Sequence, residues 1–382
     1  MKFENEINNI TLLLDPRGVV YKGGIDVVTR QNKYGYQLRL LNKNIKIRSV
    51  IFSSDIYMKD YRKLKFVSVF KISLPTFNSL SFAIKSYRYV KSLNLNIKLL
   101  IAGDPWESYW SSYFLSKFLR KKIPIQIHVH GDIGDPNWRK NSYRNRFRYL
   151  LAKLSLYKAS SVRAVTNYQA ENLVMAFDIK RERIVVVPVP INVLGTSASI
   201  SERPKTLGLV GRIHQDRGIW EFVKLVRVLN SYSKDFKVVI VGDGPSKDKF
   251  LLKLESVIPK SRIIYLGQLP ESELRKAWKR IGVLVSMAPV ESYGRVMRES
   301  LIAGVPVWAT ESAGVKDLMD NCKKGEVKLL DLGKSDASLE KDFKILLKTK
   351  VNSDFSKRFI KENNTYAAKL ADSWINIIKK SK

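Results

Sequence analysis

The stretch Val283-Leu-Val-Ser286-Met-Ala-Pro-Val-Glu291-Ser-Tyr-Gly294-Arg-Val-Met-Arg-Glu299-Ser-Leu-Ile-Ala-Gly-Val-Pro306-Val decides the fold. Residues 283–286 are apolar and β-branched enough for a strand. A loop with proline and glycine follows, residues 295–303 have helical composition, and a second apolar run begins at 305. The strands are near-continuously apolar and do not alternate, as in a parallel sheet covered by helices on both faces. Similar runs lie at 10–14, 47–52, 66–69, 97–102, 125–130, 161–165 and 184–187, and again at 206–210, 237–241 and 263–266. Strands alternating with helices predict an α/β chain.

Between the two series, residues 188–204 hold three prolines among small polar residues and read as a linker. The expected organisation is an N-terminal Rossmann-like domain over 1–195 and a C-terminal one over 196–352. A helical tail over 353–382, with Trp374, Ile377 and Ile378 as its apolar stripe, is expected to pack back on the first domain. Two such lobes would face each other across a cleft, with ligands outside the carboxyl ends of the strands.

The chain has 382 residues, 45% of them hydrophobic, enough for two sizeable cores. A single cysteine excludes a disulfide framework, and three histidines make a multi-histidine metal centre an unpromising reading. The polar start and the lack of any run near the ~18 apolar residues of a membrane span give a cytoplasmic expectation. Charge is the outlier: 68 Lys and Arg against 35 Asp and Glu give a formal +33. Such an excess points to a polyanionic partner, nucleic acid or an anionic membrane surface.

Several elements carry chemistry. The N–H groups that open the 295–303 helix, near Arg295 and Val296, suit a pyrophosphate. Glu291 on the loop and Glu299 one turn into the helix could each accept sugar or ribose hydroxyls, although a capped surface helix would carry the same residues. Gly211-Arg212 and Arg217-Gly218 place two guanidiniums where they could neutralise a diphosphate leaving group without a metal, or simply lie on a basic surface. Gly242-Asp-Gly244-Pro245 ends another strand but fails as a dinucleotide fingerprint, because residue 247 is Lys. In the first half, Gly23-Gly24 lets backbone approach a ligand. His130, before Gly131 at a strand end, is better placed for a ligand than His128.

In order, these pieces resemble glycosyltransferase family 4, the retaining nucleotide-sugar transferases of GT-B architecture: two Rossmann-like domains facing across a cleft. The likeness rests on the Gly-Gly pair, His130-Gly131, Gly211-Arg212, Gly242-Asp-Gly-Pro245, Leu266-Gly267, the Glu291/Glu299 spacing and Ala303-Gly-Val-Pro306. It implies that Glu299 holds the donor ribose, and that Glu291 with the Ser292, Tyr293, Gly294, Arg295 and Val296 backbone holds sugar hydroxyls and phosphates. Arg212 and Arg217 would stabilise the departing diphosphate, His130 would contact the donor sugar, Gly24 would approach it, and the backbone near Leu269 would meet the base. Neither cofactor nor metal is implied, only a nucleotide-sugar co-substrate. The chain departs from the family where Arg217 replaces a usual lysine, Asp317 a usual glutamate, and Ala288-Pro a usual Pro-Ser.

The resemblance implies transfer to a glycan or lipid-linked acceptor in cell-surface polysaccharide synthesis. The basic run 138–158, with Trp138, Arg139, Lys140, Arg144, Arg146 and Arg148 foremost, is expected to dock the first domain on an anionic membrane at the cytoplasmic side. Alternatives are a nucleotide-sugar epimerase or hydrolase of the same architecture, and a basic nucleic-acid-binding protein. The last finds no binding signature, so no nucleic-acid partner is expected.

Overall fold

A computed structural model describes residues 9–18, 25–41, 47–54, 65–72, 78–191 and 203–381. The chain divides into two units. One comprises Met1–Pro190 with Asn364–Lys382, the other Ile191–Asn363.

In the first unit seven strands are described: β1 Asn9–Asp15, β2 Ile47–Ser53, β3 Val67–Lys71, β4 Asn96–Ala102, β5 Ile125–His128, β6 Ser161–Ala164 and β7 Ile184–Val186. They lie in the order β3-β2-β1-β4-β5-β6-β7 with every pairing parallel. The two-residue period of a strand sends alternate side chains to opposite faces. Leu12 and Leu14 of β1 join Val50, Phe52, Leu100 and Ile127 in one core. Leu13 joins Ile51, Leu99 and Ile101 in the other. Each fully buried aliphatic side chain contributes about 1.5–3 kcal/mol, so both faces are worth covering.

The second core is closed by the chain's last helix, Ser353–Lys380, whose Tyr366, Leu370, Trp374 and Ile378 are buried in it. The unit boundary falls within this helix, between Asn363 and Asn364. Trp374 Nε1 donates to Gln126 Oε1 at 2.8 Å. His128 Nε2 lies 3.1 Å from the same oxygen, so the ring carries its proton on Nε2. Burial, with Arg163 and His130 nearby, holds the His128 pKa well below the usual histidine range. His128 is therefore a satisfied core residue.

In the second unit the strands are β8 Thr206–Val210, β9 Lys237–Val241, β10 Ile263–Tyr265, β11 Val283–Ser286, β12 Val307–Ala309 and β13 Val327–Leu329. Their order is β10-β9-β8-β11-β12-β13, again all parallel. In both sheets the order reverses once, beside β1 and β4 in the first and beside β8 and β11 in the second. Chain crossovers leave in opposite directions at that point, so the loops part and a crevice opens at the carboxyl ends.

Candidate active site

The loops after β8 and β11 flank the switch point of the second sheet, and they carry Arg212, Arg217 and Glu291. Their backbones are fixed by close main-chain packing. Gly242, at the end of β9, has φ +132, and a Cβ there would stand 1.9 Å from the Gly211 carbonyl oxygen. Gly211 N–H donates to Val241 O at 2.9 Å, and Gly242 N–H to Gly267 O at 2.7 Å. The ends of β8, β9 and β10 are thus laced together through backbone. Gly218, with φ +68, opens helix Ile219–Tyr232, and a Cβ on it would lie 2.0 Å from Met287 O. This contact presses the β11 loop against the β8 loop.

Glu291 sits on that β11 loop. Its Oε1 accepts the N–H groups of Gly294 at 3.0 Å and Tyr293 at 3.3 Å, while Oε2 lies 3.0 Å from Arg217 Nη1. The carboxylate therefore caps the approach to helix Arg295–Ile302 and spans two loops. Its main-chain oxygen accepts the Gly314 N–H at 2.7 Å, which ties the loop to the start of helix Ala313–Asn321. An ionised carboxylate has about four acceptor positions, and three are used here.

Arg212 pairs with Asp216 at 3.0 Å, and more than half of its side chain is exposed. It does not share a carboxylate with Arg217, whose partner is Glu291. Exposed pairs of this kind contribute only about 0–1 kcal/mol, so either guanidinium can be redirected to a phosphate at small cost. Glu299 lies 3.7 Å from Arg295 Nη2 and is largely covered. Ser292 and Tyr293 are buried, and burial pushes the Tyr293 phenol up to about 12. Leu269, half-buried, follows β10 on the same edge of the sheet.

Sequence reasoning missed Arg298. It is 3% exposed, its guanidinium lies 3.9 Å from the centre of the Tyr293 ring, and Nη2 meets Asp317 Oδ2 at 2.6 Å. This pair welds the two helices behind the Glu291 loop. One arginine among 68 basic residues gave no signal for it. Asp317, noted only as a departure from a glutamate, is its partner.

His130 belongs to the first unit. The strand series 125–130 ends at His128, so His130 lies on the loop beyond β5 and is exposed. Partial desolvation by its surroundings first, then the positive fields of Arg163 and Arg30, lower its pKa below the usual histidine range. Asp132, two residues on, is buried. Its Oδ2 accepts from Asn172 Nδ2 at 2.7 Å, Oδ1 has no hydrogen-bond partner, and desolvation raises its pKa to about 7. Gly24 lies outside the described residues.

The basic run divides in two. Trp138 is half-buried and stacks on Trp106, with ring centres 5.9 Å apart and planes 7° from parallel. Arg148 turns inward as well, 3.1 Å from Glu107 and 4.6 Å above the Trp106 ring. Arg139, Lys140, Arg144 and Arg146 remain exposed. Among the described residues no helix is long and apolar enough to cross a membrane, and no group of three His, Cys, Asp or Glu side chains is placed to hold a metal ion.

Two family models match successive parts of this chain: "Glycosyltransferase Family 4" over residues 46–193 and "Glycosyl transferases group 1" over residues 196–365. The chain belongs to the family 4 glycosyltransferases. Its fold is that of the GT-B members. A glycosyltransferase from Rickettsia africae superposes with a TM-score of 0.71 at 20% identity, covering 98% of this chain and 100% of that one. An Anabaena protein, Alr3699/HepE, crystallised with UDP-glucose, gives 0.68 at 17% identity, covering 95% and 99%. Among curated relatives of this glycosyltransferase, the GDP-mannose-dependent alpha-mannosyltransferase of Mycolicibacterium smegmatis is 29% identical over 31% of this chain and 29% of its own length. The 2-deoxystreptamine glucosyltransferase of Streptomyces kanamyceticus is 30% identical, covering 29% of each. The chain thus spans about 29% of the length of either protein.

Proposed function

We propose that this chain is a retaining transferase moving a sugar from a nucleotide-diphosphate sugar to a glycan or lipid-linked acceptor, in the synthesis of a cell-surface polysaccharide. The observation that carries the reading is the Arg217–Glu291 pair beside Arg212 at the switch point of the second sheet. A diphosphate arriving there brings about two negative charges and competes with the single Glu291 carboxylate for Arg217. The exchange is inexpensive, because an exposed pair contributes little. Arg217 and Arg212 then neutralise the charge that develops on the leaving diphosphate, a task that two guanidiniums perform without a metal.

Released from Arg217, Glu291 keeps its cap on Tyr293 and Gly294 and offers Oε2 to a sugar hydroxyl. Glu299, one turn into the helix, holds the ribose, and the backbone at Leu269 meets the base. Substitution on one face of the sugar, with the leaving phosphate taking the acceptor's proton, needs no further protein base. Positioning and electrostatics then supply the rate. The UDP-glucose bound by the Anabaena neighbour and the GDP-mannose dependence of the mycobacterial relative support a nucleotide-sugar donor. The exposed cations of the first unit support work at an anionic membrane on the cytoplasmic side.

The test is a thermal-shift panel of nucleotide sugars. One of them raises the melting temperature by mass action, and Glu299→Ala abolishes that rise with the fold intact. A panel with no shift at millimolar donor sinks the reading. Donor turnover that does not increase with acceptor favours a hydrolase or epimerase.

A further inference from the structure

The sequence shows cations and aromatic residues interleaved over 138–158, and the structure shows which of them share one exposed face. Helix Tyr143–Lys158 is capped by Ser142, whose Oγ accepts the Asn145 N–H at 3.1 Å. Its buried side is Ala152, Ser155 and Leu156. On the opposite side five large apolar or aromatic residues are open to solvent: Tyr143, Phe147, Leu150, Leu154 and Tyr157, between 54% and 85% exposed. At about 100° per residue they fall within an arc of about 80° and run about 21 Å along the axis. The other exposed side chains within the helix are all cations. Arg146 and Lys153 border one edge of the stripe, and Arg144 and Lys158 the other. No acid occurs in the helix.

We infer that this face of helix Tyr143–Lys158 inserts into an anionic lipid bilayer, the apolar stripe below the headgroups and the four cations among the phosphates. An interfacial helix needs an apolar face, a cationic rim and aromatic side chains with polar tips, and all three are present. Spacing of 4, 3, 4 and 3 residues also suits pairing with another helix. In a pair formed with a second copy, however, each cationic rim would oppose another cationic rim. A nucleic acid would satisfy the four cations and leave five apolar side chains in water. An anionic bilayer satisfies both sets. The docking differs in kind from adsorption of a basic patch, because salt screens the cations but not the buried stripe.

The experiment is flotation of the full chain with vesicles of phosphatidylcholine containing about a third phosphatidylglycerol, against phosphatidylcholine alone, at about 0.1 M and about 0.5 M salt. The chain floats with the anionic vesicles, and part of that binding survives the higher salt. Phe147→Ser/Leu150→Ser/Leu154→Ser lowers partition at least tenfold and makes the remainder salt-labile. Its circular dichroism melt and its donor-induced thermal shift stay as in the parent chain. Arg144→Gln/Arg146→Gln/Lys153→Gln removes the preference for anionic lipid. The inference is overturned if the parent chain does not float, or if the triple-serine variant floats as well as the parent. It is equally overturned if that variant turns a dimer into a monomer with vesicle binding unchanged. Vesicle binding is measured without donor, so this surface and the transferase reading fail separately.

Discussion

Glu291 and Arg217 meet at 3.0 Å although 74 residues separate them, and the same carboxylate caps the amides of Tyr293 and Gly294. One side chain thus bridges the β8 and β11 loops. It also holds an arginine until a more strongly charged ligand arrives.

Glu291→Gln keeps the cap, since an amide oxygen still accepts the two N–H groups, but removes the charge facing Arg217. Stability should change by less than about 1 kcal/mol, because the pair is exposed. Transfer kcat/KM should fall by about 10²–10³, the usual size of losing one charge-positioning group at a reacting centre. Urea melts and initial rates, measured on the same preparation, separate the two effects. A parallel loss of stability and rate would reduce Glu291 to a loop brace.

The buried pair behind the loop behaves differently. Arg298→Met takes the guanidinium away from half-buried Asp317 and should destabilise by about 3–5 kcal/mol. Arg298→Met/Asp317→Leu removes both charges and should recover much of that loss. Denaturant melts of the two single variants and the double variant test this as a thermodynamic cycle. Additive losses would contradict the coupling.

Asp132 gives a dependence on pH. Its folded pKa is about 7 against an ordinary value of 3.8, so the folded state retains the proton over that window while the unfolded chain loses it. The stability associated with this site is fully present below about pH 4 and is lost as the pH rises through about 7. Asp132→Asn, which can still accept from Asn172, should therefore gain over the parent chain as pH rises from 5 to 8. Urea melts at several pH values decide it: curves that stay parallel refute the assignment.

Gly218→Ala probes the loop contact without touching a charged group. A methyl 2.0 Å from Met287 O cannot be accommodated in place, and a positive φ adds about 1 kcal/mol or more. The variant should lose both stability and donor affinity, seen as a lower melting temperature and a smaller donor-induced shift. Retention of full donor affinity would show that the β11 loop holds its position without this contact.

Legibility in the sequence followed how locally each feature is determined. Strands such as Val283–Ser286 declare themselves because a strand buried on both faces must be apolar throughout. β13, Val327–Leu329, was missed because it pairs with a single neighbouring strand, β12, and places a lysine between two apolar residues. Glu291, Arg212 and Arg217 can be placed at a sheet edge from sequence because glycine and strand ends mark the loops there, and Glu299 follows one turn into the next helix. Arg298 with Asp317, and Arg148 with Glu107, were invisible: each joins segments whose approach depends on the assembled fold. The apolar pattern of 125–130 predicts strand throughout, but strand β5 ends at His128, with a last main-chain bond from Val129 N–H to Arg163 O at 2.9 Å. That stop separates a core histidine from an exposed one.

The lacing of Gly211, Gly242 and Gly267 has a consequence for redesign. Where main chain rests on main chain there is no side chain to exchange, so this rim is a poor target for altering substrate preference. A library meant to change the sugar or base would be better spent on Leu269, whose half-buried side chain can vary while the rim keeps its shape.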